Sequence, residues 1–400
     1  MLMSGSFHLS AIGNNGPVLP LSKVVERTVV APGRSVGVVP AADEISEEKA
    51  IQQLTEEIAN RRTWDAHKRR NRRRLRTSII LFLLTFLSTT LVGANYWPLE
   101  ILFSSFHPEV RAEVLADLNH YWPSEDGPLT LSEHFWKSVQ RGCLYSVPLM
   151  LILFCHEMGH FLQAVRYGVP ASLPYFIPLP LPPLGTMGAV ILQGRGVADR
   201  RMMFDIAVTG PIAGLVVTLP VLFYGISTSG YIPEAYAGGF DFGQSLMVGW
   251  IIEFCHGPAP AGMVFEWNGF ATAGWVGVFI TALNLLPIGQ LDGGHLMYTL
   301  VGRTAHWIAW ALILIAAGAM IYHGVYSYVL LLILVTLMGP RHPPTANDFV
   351  SLGWGRQVVG WATLSFLLIG FTFQPIILTE DYDASNELQP VELVETSSPL

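Results

Sequence analysis

Charge is what this chain has least of. Of 400 residues, only 13% are Asp, Glu, Lys or Arg while 51% are hydrophobic. An ordinary globular chain carries roughly 25% charge, so a soluble fold of this composition would run out of polar surface. Cysteine is also scarce. Cys143, Cys155 and Cys255 form an odd set of three, which excludes a disulfide framework and a cysteine-rich zinc module. The N-terminal stretch up to Leu21 has no early apolar core, so no cleavable secretory signal is expected. A net charge of -7 disfavours a nucleic-acid partner.

What the chain has instead is a series of apolar stretches flanked by segregated charge. Nine cations between Arg61 and Arg76, interrupted by Asp65, abut the apolar run 78–97. That run is close to the roughly 20 residues needed to cross a hydrocarbon layer, and a basic flank of this kind belongs on the cytoplasmic side. Further stretches at 140–162, 201–226, 268–288, 304–322, 325–339 and 355–378 bring the expected spans to seven. Alternation then places Arg166, Arg195, Arg200, Arg201, Arg303 and Arg341 on the inner side and the acidic tail outside, with Arg111, Lys137 and Arg141 as exceptions.

Between the spans, residues 98–139 include Val110, Val114, Leu118 and Trp122 at four-residue spacing, which predicts a helix lying on the membrane surface. Residues 227–267, rich in Gly, Pro and aromatics, read as a loop resting on the spans. Residues 43–59 read as a short acidic helix within a largely unordered lead-in.

The second span holds His156-Glu157-Met158-Gly159-His160. Helical residues four apart are separated by about 40° and about 6 Å, so both imidazoles can reach one ion with Glu157 beside them. This is the H-E-x-x-H zinc pattern, whose glutamate is a general base. Polar residues inside a bilayer span are costly and point to function. A catalytic zinc needs a third protein ligand and a position for water. Asp292 offers itself, in Asn284-Leu285-Leu286-Pro287-Ile288-Gly289-Gln290-Leu291-Asp292-Gly293-Gly294-His295, where Pro287 and the glycines break the helix. An aspartate at such a break serves equally as a cap, but two membrane-embedded polar clusters favour the ligand. Spans two and four run in the same direction, so alternation brings both clusters to similar depth.

These paired motifs resemble the site-2 proteases, a family of intramembrane zinc metalloproteases with an H-E-x-x-H helix and a later N-x-x-P…L-D-G helix. The resemblance covers roughly residues 140–300 and is nearest the bacterial and plastid types, on Leu184–Val190 and Gly210-Pro211-Ile212-Ala213-Gly214 as well. It implies Zn2+ held by His156, His160 and Asp292, Glu157 as general base to a zinc-activated water, and Asn284 facing the substrate backbone. The implied substrates are transmembrane segments of other membrane proteins, the other partner being the bilayer itself.

Residues 170–194 carry six prolines, then Gly185, Gly188 and the apolar run Ala189-Val190-Ile191-Leu192. An inner loop is one reading. The other is a re-entrant strand or hairpin whose free edge pairs with an unwound substrate, and the resemblance favours it, since this region is a substrate-clamping β element in the family.

The expectation is therefore an all-α polytopic membrane protein of about seven transmembrane helices, with a re-entrant or β element between the second and third spans. Its regions are a cytoplasmic N-terminal part (1–77), the first span with an external segment (78–139), the metalloprotease core (140–300), C-terminal spans (301–378) and an acidic tail (379–400). It is placed in a bacterial cytoplasmic membrane with the N-terminus cytoplasmic. A metal-ion transporter and a catalytically silent scaffold of the same fold are the alternatives. Of the remaining polar residues, His295 suits either a partner of a metal ligand or an interfacial site. Asp205 is expected to complement the helix dipole near Arg200 and Arg201, and Cys155 to pack. His306 and His323 suit the interface, and Trp97, Trp122, Trp250 and Trp267 the outer aromatic belt.

Overall fold

The computed structural model describes residues 73–121, 127–194, 196–233, 240–324 and 326–378. The lead-in, the acidic helix expected at 43–59, most of the basic run, Trp122 and the acidic tail lie outside the described residues.

Helix α1 (Arg73–Gly93) is followed by two shorter ones, α2 (Trp97–Phe106) and α3 (Pro108–Tyr121). Helix α4 (Leu131–Arg166) starts with a capping box: the Thr130 backbone N–H donates to Glu133 Oε2 at 2.8 Å, and the Glu133 N–H donates to Thr130 Oγ1. This pairing satisfies two otherwise orphaned N–H groups. A hairpin follows, with β1 (Tyr175–Pro178) antiparallel to β2 (Thr186–Val190) and Tyr175 opposite Val190. Helix α5 (Arg200–Ser227) is capped by Asp199, whose carboxylate accepts from Met202 N–H at 2.8 Å.

The stretch expected to be a loop, 227–267, holds more order than its Gly and Pro content suggests. It contains β3 (Tyr231–Pro233), β4 (Phe240–Phe242), the apolar helix α6 (Leu246–His256) and β5 (Met263–Phe265). Helix α7 (Gly269–Asn284) leads through a tight turn into α8 (Asp292–Val301), which continues past a short 3-10 turn into α9 (Ala305–His323). Helices α10 (Val329–Met338) and α11 (Trp354–Gly370) complete the bundle, and β6 (Ile376–Leu378) returns to pair with β4.

The protein is thus mostly helical, with three two-stranded ribbons among the described residues. Four helical stretches are long and apolar enough to cross a bilayer: Arg73–Gly93, Leu131–Arg166, Arg200–Ser227 and Asp292–His323. Every expected span meets a helix. However, α7, α10 and α11 have 16, 10 and 17 residues, short of a full crossing. The last expected span stops at Gly370 because its final residues are taken up by the β4–β6 ribbon. The described part of the four-residue stripe, Val110, Val114 and Leu118, does lie on a helix, but Leu118 is buried against Ile101 and Leu131, so this part of the stripe packs on protein.

Helices α4, α5 and α7 form the centre, and small residues let their backbones meet. A Cβ on Gly159 of α4 would sit 2.5 Å from the Thr209 carbonyl oxygen of α5, and one on Gly225 of α5 would sit 2.1 Å from the Ala271 nitrogen of α7. Between apolar helices in lipid, such close approach replaces the missing hydrophobic drive with van der Waals packing. The same closeness brings Asn284 of α7 and the Ile206 carbonyl of α5 within reach of the α4 histidines.

Candidate metal centre

His156, Glu157 and His160 occupy the C-terminal half of α4, and all three are buried. Asn284 ends α7 and Asp292 begins α8. The intervening turn is tight enough that a Cβ on Gly293 would lie 2.0 Å from the Leu285 carbonyl oxygen. That turn aims the Asp292 carboxylate back at α4. His156 Nε2 and His160 Nε2 lie 3.1 and 3.2 Å from Asp292 Oδ2, and 3.2 Å from each other. Asn284 Nδ2 is 3.5 Å from His156 Nε2.

The donor set fits zinc. Tetrahedral ligands at 2.0–2.1 Å place their donor atoms about 3.3 Å apart, close to the three separations found. The tautomer fits as well: His160 Nδ1 donates to the Ile206 carbonyl at 2.7 Å, which leaves the Nε2 lone pair facing the other two donors. Among the described residues this is the group of His, Cys, Asp or Glu side chains arranged to hold a metal ion. Two glycines of α5 make room for it. A Cβ on Gly210 would fall 2.0 Å from His160 Nε2, and one on Gly214 would fall 3.0 Å from His156 Nδ1.

A cleft of about 260 Å³ opens beside these donors. Glu157, His160, Asn284 and Asp292 form its chemical end. One wall is the extended run from Ala189 to Gly194 that continues β2. Another comes from Pro343, Pro344 and Thr345.

Residues 144–321 match the sequence profile of peptidase family M50. Over this stretch the chain is similar to M50 peptidases. The match bears out the resemblance to the site-2 proteases, and the relatives are named as probable zinc metalloproteases. The probable zinc metalloprotease EGY1 of Arabidopsis thaliana, described as chloroplastic, is 29% identical over 75% of this chain and 53% of its own length. EGY1 of Oryza sativa subsp. japonica is 31% identical over 57% of the chain and 38% of its own length. EGY2 of Arabidopsis thaliana is 29% identical over 51% of the chain and 38% of its own length. The alignments therefore span at most 53% of these relatives. No solved structure matches the chain.

The structure also holds groups that sequence reasoning missed. Asp205, read from the sequence only as a charge complementing the helix dipole, has a specific partner on α11. Its carboxylate accepts from Arg356 Nε and the Arg356 terminal nitrogen, both at 2.8 Å, and from Tyr167 Oη at 2.5 Å. Arg200 donates to the Thr299 and Leu300 carbonyls, and Arg201 to that of Ser351. His295 is not among the donors that converge near Asp292. Its Nδ1 meets His342 Nε2 at 2.5 Å, and the His342 ring stacks on Tyr298 with centroids 4.4 Å apart. His306 Nε2 donates to the His342 carbonyl at 3.2 Å, which gives it a structural task beyond an interfacial one.

Together these contacts tie down a strap, residues 341–349, that supplies one cleft wall. Tyr298 Oη donates to Asp348 at 2.7 Å and the Ala346 N–H donates to the Ala198 carbonyl at 2.9 Å. Hydrogen bonds from Thr345 and Tyr298 outweigh the opposing effect of burial and hold the Asp348 carboxyl below its ordinary range. Burial first, and the neighbouring His295 second, push the His342 imidazole down to about 3. The only sequence signal for the strap is Arg341-His342-Pro343-Pro344 after an apolar run, which periodicity does not interpret.

Proposed function

We propose that this chain is an intramembrane zinc endopeptidase that cuts transmembrane segments of other membrane proteins, with His156, His160 and Asp292 as metal ligands, Glu157 as general base and Asn284 as a donor to the substrate backbone. The observation that carries this reading is the convergence of three donor atoms, two on buried imidazoles and one on a half-buried carboxylate, at mutual distances of 3.1 to 3.2 Å, with Glu157 in the same cleft.

When bound, zinc supplies Lewis-acid polarisation and lowers the pKa of a coordinated water. Glu157 takes a proton from the attacking water and returns it to the leaving amide nitrogen. Its burial within α4 keeps bulk water from competing for that proton. Asn284 donates from Nδ2 to the carbonyl under attack, a contribution of roughly 3 kcal/mol for a donor of the oxyanion-hole kind. A helical substrate hides its carbonyls in its own hydrogen bonds, so the segment must unwind first.

The β1–β2 hairpin is the proposed re-entrant element. The continuation of β2 lies along the cleft, where an unwound strand can add to it. Seven spans, the core at 140–300 between an N-terminal part and a C-terminal bundle, and an N-terminus on the inner side complete the proposal. The short helices α7, α10 and α11 would cross with the help of their flanking turns. The bacterial cytoplasmic membrane gains no support from relatives whose names place them in the chloroplast. A metal transporter calls for polar side chains along a path through several spans, whereas the donors here cluster on α4 and α8.

Purified protein in lipid vesicles, given a single-span substrate with Gly-Pro at its centre, tests the reading. Wild type should release two fragments whose new ends lie inside the span. Glu157→Gln should retain zinc and cleave at least a hundredfold more slowly. Undiminished cleavage by that variant overturns the proposed role.

A further inference from the structure

The cleft contains two side chains that the proposed chemistry leaves unused, Gln193 and Gln290. Gln193 follows the extended run that continues β2. Its main chain is held by an antiparallel bridge to Ala171, by the Leu192 N–H donating to Ser172 Oγ at 2.8 Å, and by the Gly194 N–H donating to the Pro170 carbonyl at 2.8 Å. The side chain is therefore presented from a fixed backbone. Its Nε2 is buried and has no hydrogen-bond partner among the described residues. A buried amide donor left unpaired is costly, and native structures rarely tolerate one without a use.

Gln290 lies in the turn between Asn284 and Asp292, two residues before the carboxylate. That turn is fixed by Gly289, whose φ of 59° suits glycine, and by the Leu291 N–H donating to the Ile288 carbonyl at 3.3 Å. A glutamine amide presents a carbonyl oxygen and an N–H pair together, the same complement as a peptide group. Two such amides on rigid backbone in one cleft match an extended main chain. Neither carries a charge that would select one side chain over another.

Building on the intramembrane peptidase reading above, we infer that Gln193 and Gln290 hydrogen-bond the main chain of the unwound substrate. Selection at this site is then for a segment that can become extended, whatever its apolar sequence. Gln193 supplies a donor to a substrate carbonyl. Gln290 reads the peptide group closer to the metal ligands.

The test uses the full chain, zinc-loaded, in detergent micelles, with a fluorescent synthetic transmembrane peptide carrying Gly-Pro at its centre. Binding is measured by anisotropy in the Glu157→Gln background, so it does not require cleavage. Gln193→Leu and Gln290→Leu should each weaken binding about five- to tenfold with zinc content unchanged. In the Glu157 background KM should rise by a similar factor while kcat stays within about twofold. Gln193→Glu, which keeps the length and shape of the side chain but loses the amide donor, should behave as Gln193→Leu does. It decides the matter if the leucine variant fails to hold zinc. Replacing single peptide bonds of the probe by esters should weaken wild-type binding at one or two positions and leave the corresponding glutamine variant unaffected. Unchanged affinity in both leucine variants, or ester effects independent of them, overturns the inference. A wild type that binds the peptide with this pattern yet never cuts it counts against the peptidase reading alone.

Discussion

A Cβ placed on Gly210 would lie 2.0 Å from the Nε2 of His160, inside any tolerable contact. The α5 helix therefore touches the Nε2 edge of the imidazole, and the ring keeps its place only because position 210 has no side chain. Gly210→Ala should turn the ring away, break its hydrogen bond to the Ile206 carbonyl and lower zinc affinity about ten- to a hundredfold. Zinc titration of the apo protein checks this, with Gly230→Ala, where nothing lies within 4 Å, as the control. Normal zinc affinity in Gly210→Ala would show that the ring geometry does not depend on this clearance.

Removing the carboxylate should empty the centre. Asp292→Ala leaves two imidazoles and an open side where a catalytic zinc takes three protein ligands. Metal analysis of purified protein should give close to one zinc per chain for wild type and less than about a tenth of that for the variant. Stoichiometric zinc in Asp292→Ala would remove Asp292 from the ligand set.

The two-pronged pair between Arg356 of α11 and Asp205 of α5 fastens the last helix to the core. With the arginine side chain 38% exposed, screening keeps the pair weak, and a coupling of about 1 kcal/mol is expected. A double-mutant cycle of Arg356→Ala and Asp205→Asn, read by thermal unfolding in detergent, measures it. Fully additive effects would mean the two helices are held by packing alone.

The strap should loosen in acid. His342 is depressed to about 3 in the folded protein against an ordinary 6.5. The unfolded chain therefore binds a proton that the folded chain refuses. Stability from this group is intact above pH 6.5, falls as the pH drops below that value, and stops falling near pH 3. At pH 5 the loss is about 2 kcal/mol. Groups around it include His295 and His306, which oppose its charging, and Asp348, which favours it. His342→Gln should flatten the dependence of the unfolding midpoint between about pH 7 and pH 5. An equal slope in the variant would assign the acid sensitivity elsewhere.

Several features of this protein are legible in the amino-acid order because they repeat at helical spacing. Apolar runs of spanning length announce the membrane helices, and two histidines four apart announce a shared face on α4. The Pro287 and glycine break announces that Asp292 opens a new helix. Each signal is local, since it depends on about 1.5 Å of rise and 100° of turn per residue. Composition misleads where order comes from partners distant in sequence. The β4–β6 ribbon that ends the last expected span early joins strands more than 130 residues apart, beyond what a sliding window registers.

Chain order by itself determined which residue types stand ready for metal chemistry and that the surrounding helices are apolar. Which of them meet was decided only by packing. Asp292 reaches His156 across 136 positions of sequence because α4, α5 and α7 interlock through glycines. The Ile206 carbonyl behind His160, the pairing of Arg356 with Asp205, and the strap held by His342 have no periodic signature at all. Periodicity encodes the face a residue occupies on its own helix. Contact between helices depends on backbone separation and side-chain volume, which only the folded assembly specifies.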